Sequence, residues 1–262
     1  MLKLQTLRKV FRSGQDLVVA LAGINLQLEK GDLLTVIGSN GAGKSTLLNV
    51  IAGVFPPTSG RVSIGGKDVT TMSAHRRARQ IGRIVQDPLS GTAPTMTIAE
   101  NLALASKRCK RSFHLAITHK RRKEMIELMD SLGMGLGRRL DDPVSLLSGG
   151  ERQALTVTMA TLAQPDILLL DEHTAALDPH NATIIVELTR EFVERMRLTT
   201  IMVTHNMEQA IALGNRLIMM NKGDVIHELA GEEKQNAEVS ELIELFARRH
   251  IADDELLLGR IP

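Results

Sequence analysis

The sequence predicts an α/β protein, a mainly parallel sheet with a helical subdomain inserted into it. Three observations carry that expectation. Short aliphatic runs alternate with helical patterns, a Gly-rich turn joins one such run directly to an amphipathic helix, and the middle of the chain has no convincing strand pattern. In order, Leu33-Leu34-Thr35-Val36-Ile37 reads as a buried strand ending in the Gly-rich turn, with the helix running from about Lys44 to Ala52. Pro56-Pro57 and Gly60 mark a turn, Arg61 to Ile64 a hairpin strand before Gly65-Gly66, and Ile81 to Val85 another strand. From about Asp87 to Ala163 the patterns are helical, and Thr97-Ile98-Ala99-Glu100 fits a capping box that opens a helix. Ile167 to Leu170 and Thr200 to Val203 return to β-rich apolar runs, each beside a helical pattern. From Glu238 to Ala247, Val239, Leu242, Ile243 and Phe246 recur at helical spacing, which predicts a helix packed on the core. A single domain over 1–262 results: an α/β core over 1–86 and 164–230, a helical subdomain over 87–163, and a helical tail over 231–262.

Composition narrows the function classes. With 262 residues, 43% hydrophobic and 24% charged, the chain can bury a large core and is not a disordered segment. It has five Phe but no Tyr or Trp, so the core is built from aliphatics and twelve Met, and stacking platforms for single-stranded nucleic acid are nearly absent. The 32 basic and 30 acidic residues exert no overall pull toward nucleic acid or membrane. The single Cys109 cannot form an internal disulfide and suits a reducing compartment. No apolar run approaches ~18 residues and the first residues hold no secretory h-region, so a cytoplasmic chain without its own membrane span is expected. Lys107 to Lys123 carries eight Lys or Arg, a solvated face or a contact for anionic headgroups or a partner loop.

Two motifs carry chemistry. Gly38-Ser39-Asn40-Gly41-Ala42-Gly43-Lys44-Ser45 matches G-x-x-x-x-G-K-[ST] between a strand and a helix, with Thr46 continuing the site. Its glycines let the backbone wrap closely with N–H groups pointing inward, and the helix adds its positive end. Lys44 brings a full charge to the β- and γ-phosphates, and the Ser45 hydroxyl is placed for Mg²⁺. A nucleoside triphosphate is the expected ligand. Downstream, Ile167-Leu168-Leu169-Leu170 ends in Asp171-Glu172. A buried strand of this kind delivers its last residues to the sheet edge where the phosphate loop sits. Asp171 can then hold Mg²⁺, and Glu172 can orient or deprotonate the attacking water.

At Leu147-Ser148-Gly149-Gly150-Glu151-Arg152-Gln153 the chain resembles ATP-binding-cassette (ABC) ATPases, and with the motifs above in order the resemblance spans nearly its whole length. It implies a RecA-like P-loop NTPase core with N-terminal antiparallel strands and the inserted helical subdomain. Gln86 resembles the Q-loop glutamine, a third Mg²⁺ contact beside Ser45 and Asp171; Asp178, in Ala176-Leu177-Asp178-Pro179, resembles the D-loop at the dimer interface; His205 resembles the switch histidine that acts with Glu172 and Gln86 in catalysis. Ser148, Gly149, Gly150 and Glu151 then face the ATP of a second subunit, so two chains sandwich two ATP molecules in a self-complementary dimer.

Two departures stand out. Phe11 takes the place of the adenine-stacking aromatic, often a Tyr, and His173-Thr174-Ala175 follows Glu172 where the family commonly has Pro-Thr-Ser; His173 reads as a local turn variant and not as a second base. The resemblance is nearest to ATPases of bacterial small-solute uptake systems, with amino acids as one class of solute it implies. It implies Mg²⁺-dependent ATP hydrolysis at the cytoplasmic face of the membrane. The implied partners are permease subunits, a second ATPase subunit in a homodimer, and an extracytoplasmic solute-binding protein, with no nucleic acid. An exporter or lipid-trafficking ATPase, or a soluble ABC ATPase, are the alternatives. A P-loop kinase leaves the signature unexplained.

Overall fold

In the computed structural model, which describes residues 1–14, 16–106 and 117–247, the chain opens with a long antiparallel hairpin. Its strands are β1 (Leu2–Ser13) and β2 (Asp16–Leu28), with Leu2 opposite Leu28. The polar/apolar alternation of β1 slips at Thr6, a non-glycine residue at φ 43°, where a bulge shifts the register between Leu4 and Leu7. That slip puts Leu2, Leu4 and Leu7 in the core together and hides the period-two pattern from a sequence reader. The chain then enters the main sheet as β3 (Leu33–Gly38), turns through the Gly-rich loop into α1 (Lys44–Ala52), and returns to the first sheet as β4 (Ser59–Ile64) and β5 (Lys67–Asp68). Gly65 and Gly66 join the last two, both at positive φ, as a two-residue hairpin turn requires. The first sheet has the order β2-β1-β4-β5.

After a short helix α2 (Ala74–Arg77), the edge strand β6 (Ile81–Ile84) stops one residue before the expected Val85. Arg77 is fully buried, and its guanidinium donates to Val50 O and Ile51 O (2.8 Å each) and to Thr70 O, which closes the carbonyl end of α1. Next come α3 (Ile98–Ser106), α4 (His119–Asp130) and α5 (Gly149–Leu162). Among the described residues this stretch holds no strand beyond an isolated Thr97–Pro143 bridge. Thr97 and Glu100 bond each other's backbone N–H, Thr97 N to Glu100 Oε2 at 2.8 Å and Glu100 N to Thr97 Oγ1 at 3.2 Å, so the capping box at the start of α3 is present. Ile98, Leu102, Met129 and Leu136 form a separate apolar cluster with Leu155 of α5, while Ala154 and Val157 of the same helix pack on the main sheet. Cys109 and residues 107–116 of the basic stretch lie outside the described residues, as does the tail beyond 247.

The chain completes the main sheet with β7 (Ile167–Asp171), α6 (Pro179–Met196), β8 (Thr199–Val203), α7 (Met207–Ala212), β9 (Arg216–Asn221) and β10 (Asp224–Ala230), followed by α8 (Gly231–Gln235). The sheet order is β10-β9-β3-β8-β7-β6, and every neighbouring pair except β10·β9 is parallel. Every residue of β7 and β8 is buried, as a parallel sheet covered on both faces demands. One face carries α1 and the first sheet, the other α5 and α6. The apolar run Leu217-Ile218-Met219-Met220 of β9 is too short for periodicity to distinguish a strand from a buried helix segment, and the sequence reading marks neither β9 nor β10.

A helix over 239–247 packs on the core through Leu242, buried against Ile37, Ala210, Leu217 and Met219. Ile243, expected on that packed face, is instead 53% exposed, because it stands about 100° round the helix from Leu242. Among the described residues no helix is long and apolar enough to cross a membrane.

Candidate functional site

Parallel strands end on the same side of a sheet, and here that edge collects the motif residues. The Gly-rich loop follows β3, Asp171 and Glu172 end β7, and His205 stands two residues past β8. Register brings these ends level, with Asp171 opposite Val203 and Val36 opposite Val203 from the other side.

The loop needs glycine for two different reasons. A Cβ on Gly38 would lie 2.4 Å from Met220 O of β9. Gly43 has φ 99°, and its Cβ would meet Ala20 O of β2 at 2.3 Å. Gly43 is also the N-cap of α1 and offers no side-chain cap, so the first N–H groups of the helix have no side chain folded over them. Lys44 is buried and donates from Nζ to Gly38 O at 2.8 Å and Ser39 O at 3.0 Å, bent back over its own loop. Ser39, Asn40 and Gly41 are exposed, Ala42 is buried beneath them, and Ser45 and Thr46 open the helix.

Ser45 Oγ donates to Asp171 Oδ1 at 3.2 Å, and Glu172 Oε1 lies 2.6 Å from His205 Nε2. Burial pushes the Lys44 ammonium pKa down against the raising pull of Glu172 and Asp171. Burial likewise pushes the Asp171 carboxyl pKa up, opposed by the Ser45 hydrogen bond and by the charges of Arg83 and Lys44. Cation and carboxylate are thus each driven toward neutrality, and a ligand bringing phosphate anions and a metal cation would offset both costs. Glu172 itself holds φ 49°, a left-handed conformation that costs a non-glycine residue about 1–2 kcal/mol. Its N–H donates to Val203 O at 3.0 Å, and its carbonyl accepts from Ala175 N at 3.0 Å. From Glu172 and His205 a groove of about 880 Å³ runs outward between α6 and α7 past Thr183, Glu187 and Gln209.

Phe11 lies near the end of β1 opposite Val18, two residues along β2 from the Ala20 carbonyl that abuts Gly43. It meets Phe55 edge-on, centroids 5.4 Å apart, with Lys9 Nζ 4.8 Å from its own centroid. Gln86 is exposed in the bend after β6.

The signature residues form a second, separate helix start. Ser148 is the N-cap of α5: its Oγ accepts from Glu151 N at 3.3 Å, and Glu151 Oε2 accepts from Ser148 N at 2.8 Å. Glu151 is further held by Arg139 Nη1 at 2.7 Å. Ser148 and Gly149 are exposed, whereas Gly150 is buried where a Cβ would lie 2.7 Å from the Asn181 amide of α6. Asp178 caps α6, accepting from Asn181 N at 3.0 Å and from Asn181 Nδ2 at 2.6 Å. These bonds hold its carboxyl pKa below the usual range.

Three residues enter the picture that motif reading does not mark. Arg83 sends its charge toward Asp171 from the middle of β6, and a cation inside an otherwise apolar strand is the signal that could have found it. Asn181 bridges Asp178 to the signature helix, and Thr189 of α6 bonds the buried His173. Neither has a local signature, because each acts across a tertiary contact.

The sequence profile of the family described as ABC transporter matches residues 21–175. A tyrosine transport ATP-binding protein of Clostridioides difficile is 39% identical over 249 residues, covering 94% of this chain and 98% of the relative. A methionine import ATP-binding protein of Latilactobacillus sakei is 34% identical, covering 100% of this chain and 77% of the relative. A glycine betaine/carnitine/choline transport ATP-binding protein of Bacillus subtilis is 31% identical, covering 100% and 68%. Among solved structures, a dimeric ATP-binding cassette in a post-hydrolysis state with ADP and Pi is similar at TM-score 0.75 and 28% identity, over 88% of this chain and 98% of that one. An ADP-bound cassette of an ABC transporter is similar at TM-score 0.76 and 26% identity, over 94% and 98%.

Proposed function

The chain belongs to the ABC transporter family as an ATP-binding, ATP-hydrolysing subunit, and on that premise we propose that it powers a separate permease importing a small solute of amino-acid-like character. The observation that carries the import reading is the match over this whole chain to a methionine import ATP-binding protein, beside a tyrosine transport ATP-binding protein matched over almost the full length of both chains. The relatives named for methionine import and for betaine, carnitine and choline transport support the same class of solute. Two copies close head to tail around two ATP molecules on the cytoplasmic face of the membrane, and an extracytoplasmic solute-binding protein delivers the cargo.

In this reading residues 38–46 wrap the phosphates and Lys44 leaves its loop carbonyls for the β- and γ-phosphate oxygens. Ser45 and Asp171 fit Mg²⁺, a hydroxyl and a carboxylate held 3.2 Å apart, two hard oxygens to be joined by phosphate oxygens and Gln86. When bound, that ion neutralises phosphate charge. Glu172 accepts the proton of the attacking water, while His205 holds its carboxylate and faces the γ-phosphate. Ser148, Gly149, Gly150, Glu151 and Asp178 of each copy meet the ATP held by the other, and Phe11 stacks on adenine.

The test is to purify the tagged chain from its own cells in mild detergent and to identify by mass spectrometry what accompanies it. A many-spanning permease with a solute-binding protein supports import. Purely soluble partners would overturn the transport reading.

A further inference from the structure

His173 follows Glu172 directly and is 3% exposed, yet it makes a polar contact across the core. Its Nε2 lies 3.2 Å from Thr189 Oγ1 in the middle of α6, and Thr189 is itself buried. The Thr189 hydroxyl donates to Ile185 O at 2.7 Å, one turn back in its helix. With that proton committed, Thr189 Oγ1 is left to accept, so His173 Nε2–H is the donor. The ring therefore pins the residue after Glu172 to α6, while the Glu172 N–H is pinned to Val203 O of β8. Between the two anchors Glu172 holds its left-handed φ of 49°, with its carboxylate 2.6 Å from His205 Nε2.

We propose that His173, through Thr189, is a positioning residue that keeps Glu172 in the strained backbone conformation from which its carboxylate reaches the attacking water. The proposal rests on the reading of Glu172 as the general base. It gives His173 a task that a simple turn variant would not have. A residue in the left-handed region relaxes to the right-handed or extended region unless its surroundings over-determine it. Relaxation here would rotate the carboxylate away from His205 without disturbing the phosphate loop, which is anchored separately on β3 and α1. Releasing the clamp should therefore lower kcat and leave ATP binding alone.

Thr189→Val keeps the shape of the side chain and removes the acceptor; Thr189→Ser keeps the acceptor. ATPase kinetics, ATP affinity and thermal midpoint are measured for both, for Glu172→Gln, and for the Glu172→Gln/Thr189→Val pair. The expected result is a kcat about tenfold or more lower in Thr189→Val, ATP affinity within about twofold, and kcat recovered to within about twofold in Thr189→Ser. In the Glu172→Gln background, Thr189→Val should cost nothing further, since the clamp acts only through that carboxylate. A parental kcat in Thr189→Val, or the same fractional loss with and without Glu172, overturns the proposal. If Glu172→Gln hydrolyses ATP at the parental rate, the assignment of the base fails first, and with it this inference. Should Thr189→Val be unfolded by circular dichroism, His173→Asn takes its place in the same cycle with the same expectations.

Discussion

The chain contains two helix starts suited to anions, those of α1 and α5, and they are built in opposite ways. The start of α1 has no side-chain cap and a left-handed glycine, and it lies at a sheet edge where Lys44, Ser45, Asp171, Glu172 and His205 converge. The start of α5 is closed on itself by a complete Ser148/Glu151 capping box, braced by Arg139, and presents Ser148 and Gly149 outward. An uncapped start inside a cluster of buried, opposed charges is further stabilised by a ligand that brings phosphate and metal partners. A capped start is stable by itself and leaves Ser148 and Gly149 exposed. The difference teaches that one start is left open to a ligand amid buried charges, whereas the other is satisfied by its own side chains.

Variants can break that asymmetry in order of size. Glu172→Gln should lower ATP turnover by about 10²–10⁴-fold while leaving ATP affinity within a few fold, and should collect an ATP-dependent dimer in light scattering. Turnover near the parental rate would place the base elsewhere. Lys44→Ala removes a charged donor from the α1 site and should weaken ATP binding by about 10–100-fold in a nucleotide titration, the worth of a charge-assisted hydrogen bond. Ser148→Asp sharpens the comparison: Asp is a good N-cap, so the thermal midpoint should stay within a few degrees. A negative charge there would nonetheless repel the γ-phosphate of a second copy, so hydrolysis should fall about tenfold or more with ATP affinity of the isolated chain unchanged. If hydrolysis is unaffected, α5 does not complete a site in another chain. Phe11→Ala should have the smallest effect, about 1 kcal/mol or slightly more of ATP affinity through lost stacking, and a smaller loss for nucleotides with other bases. An unchanged affinity would assign Phe11 to its contact with Phe55 alone.

The same contrast explains what was legible beforehand. The α1 site is written in contiguous residues, from Gly38 to Thr46, and its strand and helix flanks carry their own periodicity. The strands ending at Asp171 and Val203 were equally readable as aliphatic runs, since central parallel strands are apolar on both faces. β1 hid behind its bulge at Thr6, and β9 behind a four-residue apolar run with two Met. Ile243 was misplaced because helical spacing fixes a stripe about 100° wide but not which of its edges meets the core. Arg83 and Asn181 were missed because their partners, Asp171 and Gly150, are far away along the chain.

By itself the sequence determined the α/β alternation, the phosphate loop with its lysine and serine, the acidic pair after an aliphatic strand, and the order of motifs that marks the family. Each is a local pattern, set by backbone geometry and burial over a few residues. Only the tertiary structure decided that Lys44 bends back onto Gly38 and Ser39, that Glu172 stands strained between β8 and α6 beside His205, and that Ser148 and Gly149 at the α5 start are exposed. The Glu172 contacts join separate strands and helices, and their geometry follows from sheet order and helix packing, which no local pattern encodes.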